Sequence, residues 1–323
     1  MRIKLSFSIL AAALAFAVPG ASAQTFPSKP FRIVSTFTPG AVADAAMRLI
    51  AQKMSDSVGQ PVIVDAMPGA GGVLGAQIVV RAAPDGYTLL HCAPTTLVAT
   101  PFILKTPPYD PIKDFTYVTH MTDATLSLVV TNSLPVNNVK ELIEYAKTNP
   151  GKLAYGSNGV GASAHLEMEL MKLKYGIDIT HVPYKGGADG LNAAAAGQIP
   201  VAFAPLISSA QMAKAGKVRI IAVTAVKRFS GLPEYPSMGE QLSDYEKIPT
   251  GDEIVGPAGI PTAILRRLNV EMVKAINTPE SLERLKSIGF VPVANTPEEH
   301  LAQIKRDMVV MAKAIKAANI KPE

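Results

Sequence analysis

The chain has no tryptophan and a single cysteine, Cys92, among 323 residues. One cysteine excludes an intrachain disulfide, so stability has to come from packing. Cys92 follows the strand-like "YTLLHC" and reads as a buried, inert thiol. No basic run exceeds two residues, at 227–228, 266–267 and 305–306, which excludes a nucleic-acid surface. Removing Arg2 and Lys4 takes the formal charge from +5 to +3, compatible with a small anionic ligand but not evidence of one. The H-E-x-x-H, G-x-S-x-G and S-x-x-K signatures are absent, so sequence spacing offers neither a zinc site nor an activated serine. "PGAGGVLG" lacks the Lys-Ser/Thr ending of a phosphate loop. "GVGASA" fits a dinucleotide loop only weakly, because the strand before it is short and mixed.

The N-terminus has the grammar of an export signal. Arg2 and Lys4 form a basic region, "LSFSILAAALAFAV" a short apolar core, and Ala21-Ser22-Ala23 a small-x-small cleavage site. Residues 1–23 are therefore expected to be a signal peptide cut near Ala23, with the mature chain in the periplasm. With the only cysteine at Cys92, no lipid anchor is expected there. Beyond that segment no run reaches 18 uninterrupted apolar residues, so no further membrane helix is expected.

The remainder alternates short β-branched runs with helical periods. "FRIVSTF", "QPVIVDA" and "YTLLHCA" read as strands, separated by helical periods over 44–58 and 71–83. A Pro-rich stretch, "TPPYDPIKDF", reads as a surface excursion. The alternation restarts at "TLSLVVTNS" and continues through strand candidates at 152–157, 179–184, 199–204 and 218–225. A second Pro/Gly-rich stretch covers 230–261, and helical periods over 262–277, 280–288 and 297–318 end the chain. Such alternation argues for α/β lobes with mainly parallel sheets. Terminal helices without a new sheet must pack on one already built. The expectation is a discontinuous first lobe, 24–124 plus 250–323, and an inserted second lobe, 125–249, with two hinge crossovers and a ligand cleft between.

Three loops share one design. "TFTPGAVAD" (36–44), "MPGAGGVLG" (67–75) and "GSNGVGASAH" (156–165) each follow a strand and open a helix. Glycine lets a ligand approach the backbone, and a helix start presents unpaired N–H groups and partial positive charge. Backbone of this kind can hold a carboxylate or phosphate without a cationic side chain. "HVPYKGGADG" (181–190) is a fourth strand-to-helix turn, where Tyr184 offers a ring and hydroxyl and Lys185 a charge. The five histidines are scattered, and only His165 falls in the first turn after a glycine loop.

Taken in order, "FPSKPFRIVSTFTPGAVADAAMR", "GQPVIVDAMPGAGGVLGA", "PDGYTLL", "YGSNGVGASAHLEMELMK", "THVPYKGG", "AAAAGQIPVAFA" and "GPAGIPTAILRRLN" resemble the successive signatures of the Bug family. These are periplasmic solute-binding proteins of tripartite tricarboxylate transporters. The resemblance spans essentially the whole mature chain. It implies a two-lobed Venus-flytrap fold, no catalysis and no cofactor or metal. It also implies a small organic carboxylate as ligand (a di- or tricarboxylate or an aromatic acid), a membrane permease as partner, and a monomer. By position it nominates Phe37, Thr38, Ala43, Asp44, Gly69 and Ala70 in the first lobe. In the second it nominates Ser157, Asn158, Ser163, His165, Tyr184, Lys185 and Ala204.

Four departures mark this chain. Ala41 and Val42 stand where the family has further glycines, Met67 where Arg is common, and Ala204 where Asp often contacts a ligand's cationic group. The aromatic pair usual before "GPAGIP" is missing. Two other readings stay open: an exported α/β hydrolase-type enzyme, and a flytrap that presents its ligand to a membrane kinase instead of a permease.

Overall fold

The computed structural model describes residues 26–184 and 186–322. The signal-peptide reading and Lys185 lie outside them. The chain runs β1 (Phe31–Ser35), α1 (Val42–Val58), β2 (Val62–Ala66), α2 (Val73–Val80) and β3 (Thr88–Cys92). Short helices α3 (Pro94–Val98) and α4 (Thr100–Ile103) precede the Pro-rich turn, and β4 (Phe115–Ala124) leads into β5 (Leu126–Val130) across one residue. Next come α5 (Val139–Thr148), β6 (Leu153–Ser157), α6 (Ser163–Tyr175), β7 (Ile179–Pro183), α7 (Gly187–Ala195), β8 (Val201–Pro205), α8 (Leu206–Lys214) and β9 (Arg219–Val223). A long return holding α9 (Met238–Gln241) reaches β10 (Asp252–Pro257), then α10 (Thr262–Ile276), α11 (Pro279–Ser287), β11 (Phe290–Pro292) and α12 (Pro297–Ala317).

Two sheets result, ordered β11-β4-β10-β3-β1-β2 and β7-β6-β8-β5-β9. Both are mixed. β1 is parallel to β2 and β3, and β6 to β7 and β8. β10 and β4, absent from the sequence reading, join antiparallel, as do β5 with β8 and β9. The first sheet thus gathers strands from both ends of the chain, and the second only strands between Leu126 and Val223.

Neighbouring strand residues face opposite sides and both are buried. Ile33, Leu89 and Ile254 pack under α1 and α10, while Val34, Leu90 and Val255 pack under α2 and α12. In the second sheet Leu128, Tyr155 and Phe203 meet α5 and α6, while Val129, Ala202 and Ile220 meet α7 and α8. Helices on both faces explain why these strands read as apolar runs rather than alternations. Each fully buried large side chain contributes roughly 1.5–3 kcal/mol.

Register fixes which ends of the strands meet. Because β4 feeds straight into β5, the end of β4 abuts the start of β5. Ser35 lies beside His91, Cys92 beside Glu253 and Asp252 beside Thr122, so β1 and β3 end on that same edge. Across the junction, Leu126 pairs with Pro205 and Ser127 with Val223, so β8 and β9 end there, and β6 with them. Every strand-to-helix loop singled out in the sequence therefore leaves from one of two abutting sheet edges. This is the edge where open α/β sheets bind ligands.

The halves are tied beside the crossovers. Lys247 Nζ reaches Asp123 Oδ1 at 2.7 Å, and the Thr125 N–H donates to the Gly289 carbonyl at 3.1 Å. Between the two crossovers, the Thr250 hydroxyl donates to the Ala124 carbonyl at 2.8 Å. α12 packs along α6, placing Leu166 and Leu170 against Ile304, Met311 and Ile315.

Candidate functional site

The helices that start on the abutting edges are bare. α1 has Ala41 at its N-cap, α2 Gly72, α6 Ala162 and α7 Gly186, none with a side-chain cap. By contrast, α5, α9, α11 and α12 are capped by Asn138, Ser237, Thr278 and Thr296 side chains. Helices α3, α4, α8 and α10 also lack side-chain caps, so what marks the starts of α1, α2, α6 and α7 is that Ala or Gly in a strand-to-helix loop leaves orphan donors. Among the described residues, no protein acceptor meets the N–H groups of Val42, Ala43 and Asp44, or those of Ser163 and Ala164.

The first-lobe loop is held from beneath. Thr38 is exposed and Phe37 half-buried, its ring 4.8 Å from that of His91. His91 is fully buried, with Nδ1 3.0 Å from Ser35 Oγ. The Asp44 carboxylate is buried too, and Oδ2 accepts from the Gly40 N–H and Arg48 Nε, each at 2.9 Å. Burial pushes its pKa up, but these two partners hold it below the usual carboxylate range. Asp44 therefore braces the loop instead of lining it. Gly69 and Ala70 are exposed, and the Thr96 hydroxyl steadies their loop by donating to the Gly71 carbonyl at 2.9 Å. A surface hollow of about 630 Å³ adjoins this loop on its outer side, lined by Met67, Leu74 and Arg81.

In the second lobe the structure gathers more than the sequence reading named. Asn158 is exposed, but the Ser157 hydroxyl is buried, 2.7 Å from His181 Nε2 and accepting from the Gly159 N–H at 3.1 Å. The Ser163 hydroxyl donates to the Pro249 carbonyl at 3.4 Å, on the second crossover. His165 is buried behind the loop, its Nδ1 accepting the Gly161 N–H at 3.0 Å. Tyr184 packs under the loop against Gly156 and Gly190. Ala204 is buried, and Gly187 approaches its backbone.

The nominated residues thus form two clusters, one on each edge. Phe37, Thr38, Ala43, Asp44, Gly69 and Ala70 belong to the first; Ser157, Asn158, Ser163, His165, Tyr184 and Ala204 to the second. Two histidines escaped the sequence reading. His91 supports Phe37, and His181 supports Ser157. The signal for His181 was its register opposite Tyr155 on the next strand, which needs the sheet order to be read. Nor are the histidines scattered: His165 and His181 stack on each other, and His120 and His300 flank Glu253.

Ser157 and His181 also form the serine–imidazole pair that sequence spacing could not supply. Its hydroxyl, however, is fully buried and committed to Gly159. Among the described residues no group of three His, Cys, Asp or Glu side chains is arranged to hold a metal ion. Nor is any described helix long and apolar enough to cross a membrane.

Two mixed α/β lobes joined by paired crossovers, with uncapped helix starts on the abutting edges, define a protein of the periplasmic solute-binding class. Residues 46–320 match the family described as TctC, tripartite tricarboxylate transporter family receptor, and the chain belongs to it. It is 36% identical over 280 residues to a UPF0065 protein of Bordetella pertussis, covering 87% of this chain and 86% of that one. Among solved structures it is similar to R. palustris Rpa4515 with adipate (32% identity, TM-score 0.75, 92% of this chain and 100% of that one). It is also similar to MatC of Rhodopseudomonas palustris with bound malate (26% identity, TM-score 0.71, 90% and 100%). The Bug-type resemblance and the two-lobed fold expected from sequence both hold.

Proposed function

We propose that the protein captures a small organic carboxylate between its lobes and delivers it, without chemical change, to the permease of a tripartite transporter. The observation that carries this reading is the set of Ala- and Gly-capped helix starts on the two abutting edges. A carboxylate bridging the bare N–H groups at 42–44 and 163–164 would contact both lobes at once. Neither edge alone offers enough, so the ligand favours the closed arrangement by its differential contacts. We take the moving bodies to be 26–124 plus 250–322 and 125–249, turning at 124–126 and 249–251 as a monomer. Solved relatives holding adipate and malate support the ligand class. Ala204 leaves no carboxylate at that position for a ligand's ammonium group, which disfavours amino acids. Membership of an exported receptor family supports a periplasmic location, with residues 1–23 removed.

The test is a thermal-shift and calorimetric screen of the mature chain against adipate, malate, citrate, benzoate and glutamate. A true ligand at about 100 times its dissociation constant adds roughly 2.7 kcal/mol of stability. We expect at least one carboxylate to reach that and to compact the protein in small-angle scattering. Flat responses to the whole panel would reject the carboxylate reading.

A further inference from the structure

The second-lobe loop rests on two imidazole rings. His165 from α6 and His181 from β7 stack with centroids 4.0 Å apart and planes 14° from parallel. Each ring holds one end of the loop. His181 Nε2 lies 2.7 Å from Ser157 Oγ, and His165 Nδ1 accepts the Gly161 N–H at 3.0 Å. An amide can only donate, so His165 Nδ1 must keep its lone pair, and the ring carries its proton on Nε2. A protonated His165 would turn Nδ1–H toward Gly161 N–H, donor against donor. A protonated His181 would add a second positive ring within stacking distance.

We propose that His165 and His181 are positioning residues, a neutral stacked pair that holds residues 157–163 in the shape that receives a carboxylate and lets go of it on acidification. This rests on the carboxylate reading of the loop but concerns the loop's own order. Charged and titratable groups around the pair are few. Glu169 Oε1 lies 4.0 Å from His165 Nε2 and would favour protonation, but it is already engaged by Lys172 Nζ and by the Tyr155 hydroxyl, each at 2.9 Å. The Tyr155 ring covers the other face of His181 at 4.9 Å.

Burial disfavours the charged form of each ring and outweighs the opposing pull of Glu169: His165 is held below its ordinary value of 6.5, and His181, which His165 lowers further, falls from 6.5 to about 4. The sign follows from the released loop binding protons more readily than the held one. Order is complete above pH 6.5 and lost progressively as the pH falls toward about 4.

The experiment uses the ligand-free mature chain. Imidazole ¹⁵N spectra should show His165 as the Nε2–H tautomer at pH 7. Amide exchange at Gly161, corrected for intrinsic rate, should accelerate below pH 6 in the wild type. His165→Asn keeps an acceptor near the Nδ1 position and cannot take up a proton. It should retain slow exchange at pH 7 and lose the acid dependence. His165→Leu removes the acceptor and should speed Gly161 exchange about tenfold over wild type at pH 7, the factor that loss of one hydrogen bond represents, with the difference closing as the wild type releases the loop in acid. An Nδ1–H tautomer, or wild-type exchange unchanged down to pH 4, would overturn the proposal even if His165→Leu failed to fold. A parallel adipate titration at pH 5 and pH 7 reports on the ligand separately. Absence of adipate binding at both would count against adipate as ligand while the exchange data still judge the imidazole pair.

Discussion

Gly251→Ala should be among the most disruptive single-methyl changes available in this chain, costing at least ~4 kcal/mol or preventing soluble expression. Gly251 immediately precedes β10 at the second crossover, with φ +102°, and a Cβ built there would lie 1.7 Å from the Thr122 carbonyl oxygen and 2.8 Å from Asp123 Cα. Both obstacles are backbone of β4, which cannot rotate away. The two crossover strands therefore approach more closely than any side chain permits, and the methyl must push them apart. That would also strain the Thr250–Ala124 hydrogen bond and the Lys247–Asp123 pair beside it. Gly40→Ala is the control. Gly40 has φ +81° but open space where a Cβ would go, so only backbone strain is incurred, about 1 kcal/mol. Urea denaturation of the two variants separates the effects. Equal losses would mean that the crossover strands are not in contact as described.

The strands β4 and β10 at the crossovers were the least legible part of the sequence. The βαβ alternation of both lobes could be read because their strands are buried on both faces and spell continuous apolar runs. β4 spells "FTYVTHMTDA" and β10 begins "DEIVGP", so polar residues break the run and look like surface. Yet Thr119, His120, Thr122, Asp252 and Glu253 are all buried. Part of their polarity is met across two strands more than 125 residues apart, as by Thr122 Oγ1 on Asp252 Oδ2 at 3.0 Å, and part by Asn295 from further along the chain, which bonds Thr119 and His120. No local periodicity encodes a partner that distant. The candidate-site loops were legible for the opposite reason. Glycine, a preceding strand and an uncapped helix start are all local signals, whereas the histidines beneath them depend on sheet order and remained unseen. Cys92 was legible for a local reason as well, and it is a buried free thiol whose pKa burial raises.

Glu253→Gln carries the second large expectation, a loss of about 3–5 kcal/mol near pH 6, because it removes one partner of a buried ionic cluster and leaves the others uncompensated. Glu253 is fully buried, with Oε1 3.0 Å from His120 Nδ1 and Oε2 2.5 Å from His300 Nε2. Burial alone would drive its carboxyl up; His120 and His300 together pull it far below the ordinary range. Burial likewise opposes charge on His120, but Glu253 and Asp123 outweigh it and raise its pKa from 6.5 to about 10. The two shifts bound a pH window. The contribution of Glu253 is present above its ordinary value of 4.5 and is lost as pH falls below it. That of His120 is complete below 6.5 and is lost as pH rises toward about 10. The gap between wild type and Glu253→Gln should therefore be widest between pH 5 and 6.5 and narrow toward pH 10. Asp307, raised to about 6 chiefly by burial and next by Glu253, should ionise more easily in the variant and reduce the gap slightly above pH 6. Urea midpoints measured from pH 5 to pH 10 decide the matter. A loss below about 1 kcal/mol, or a gap constant across that range, would mean that the cluster is held by packing and hydrogen bonds without separated charge.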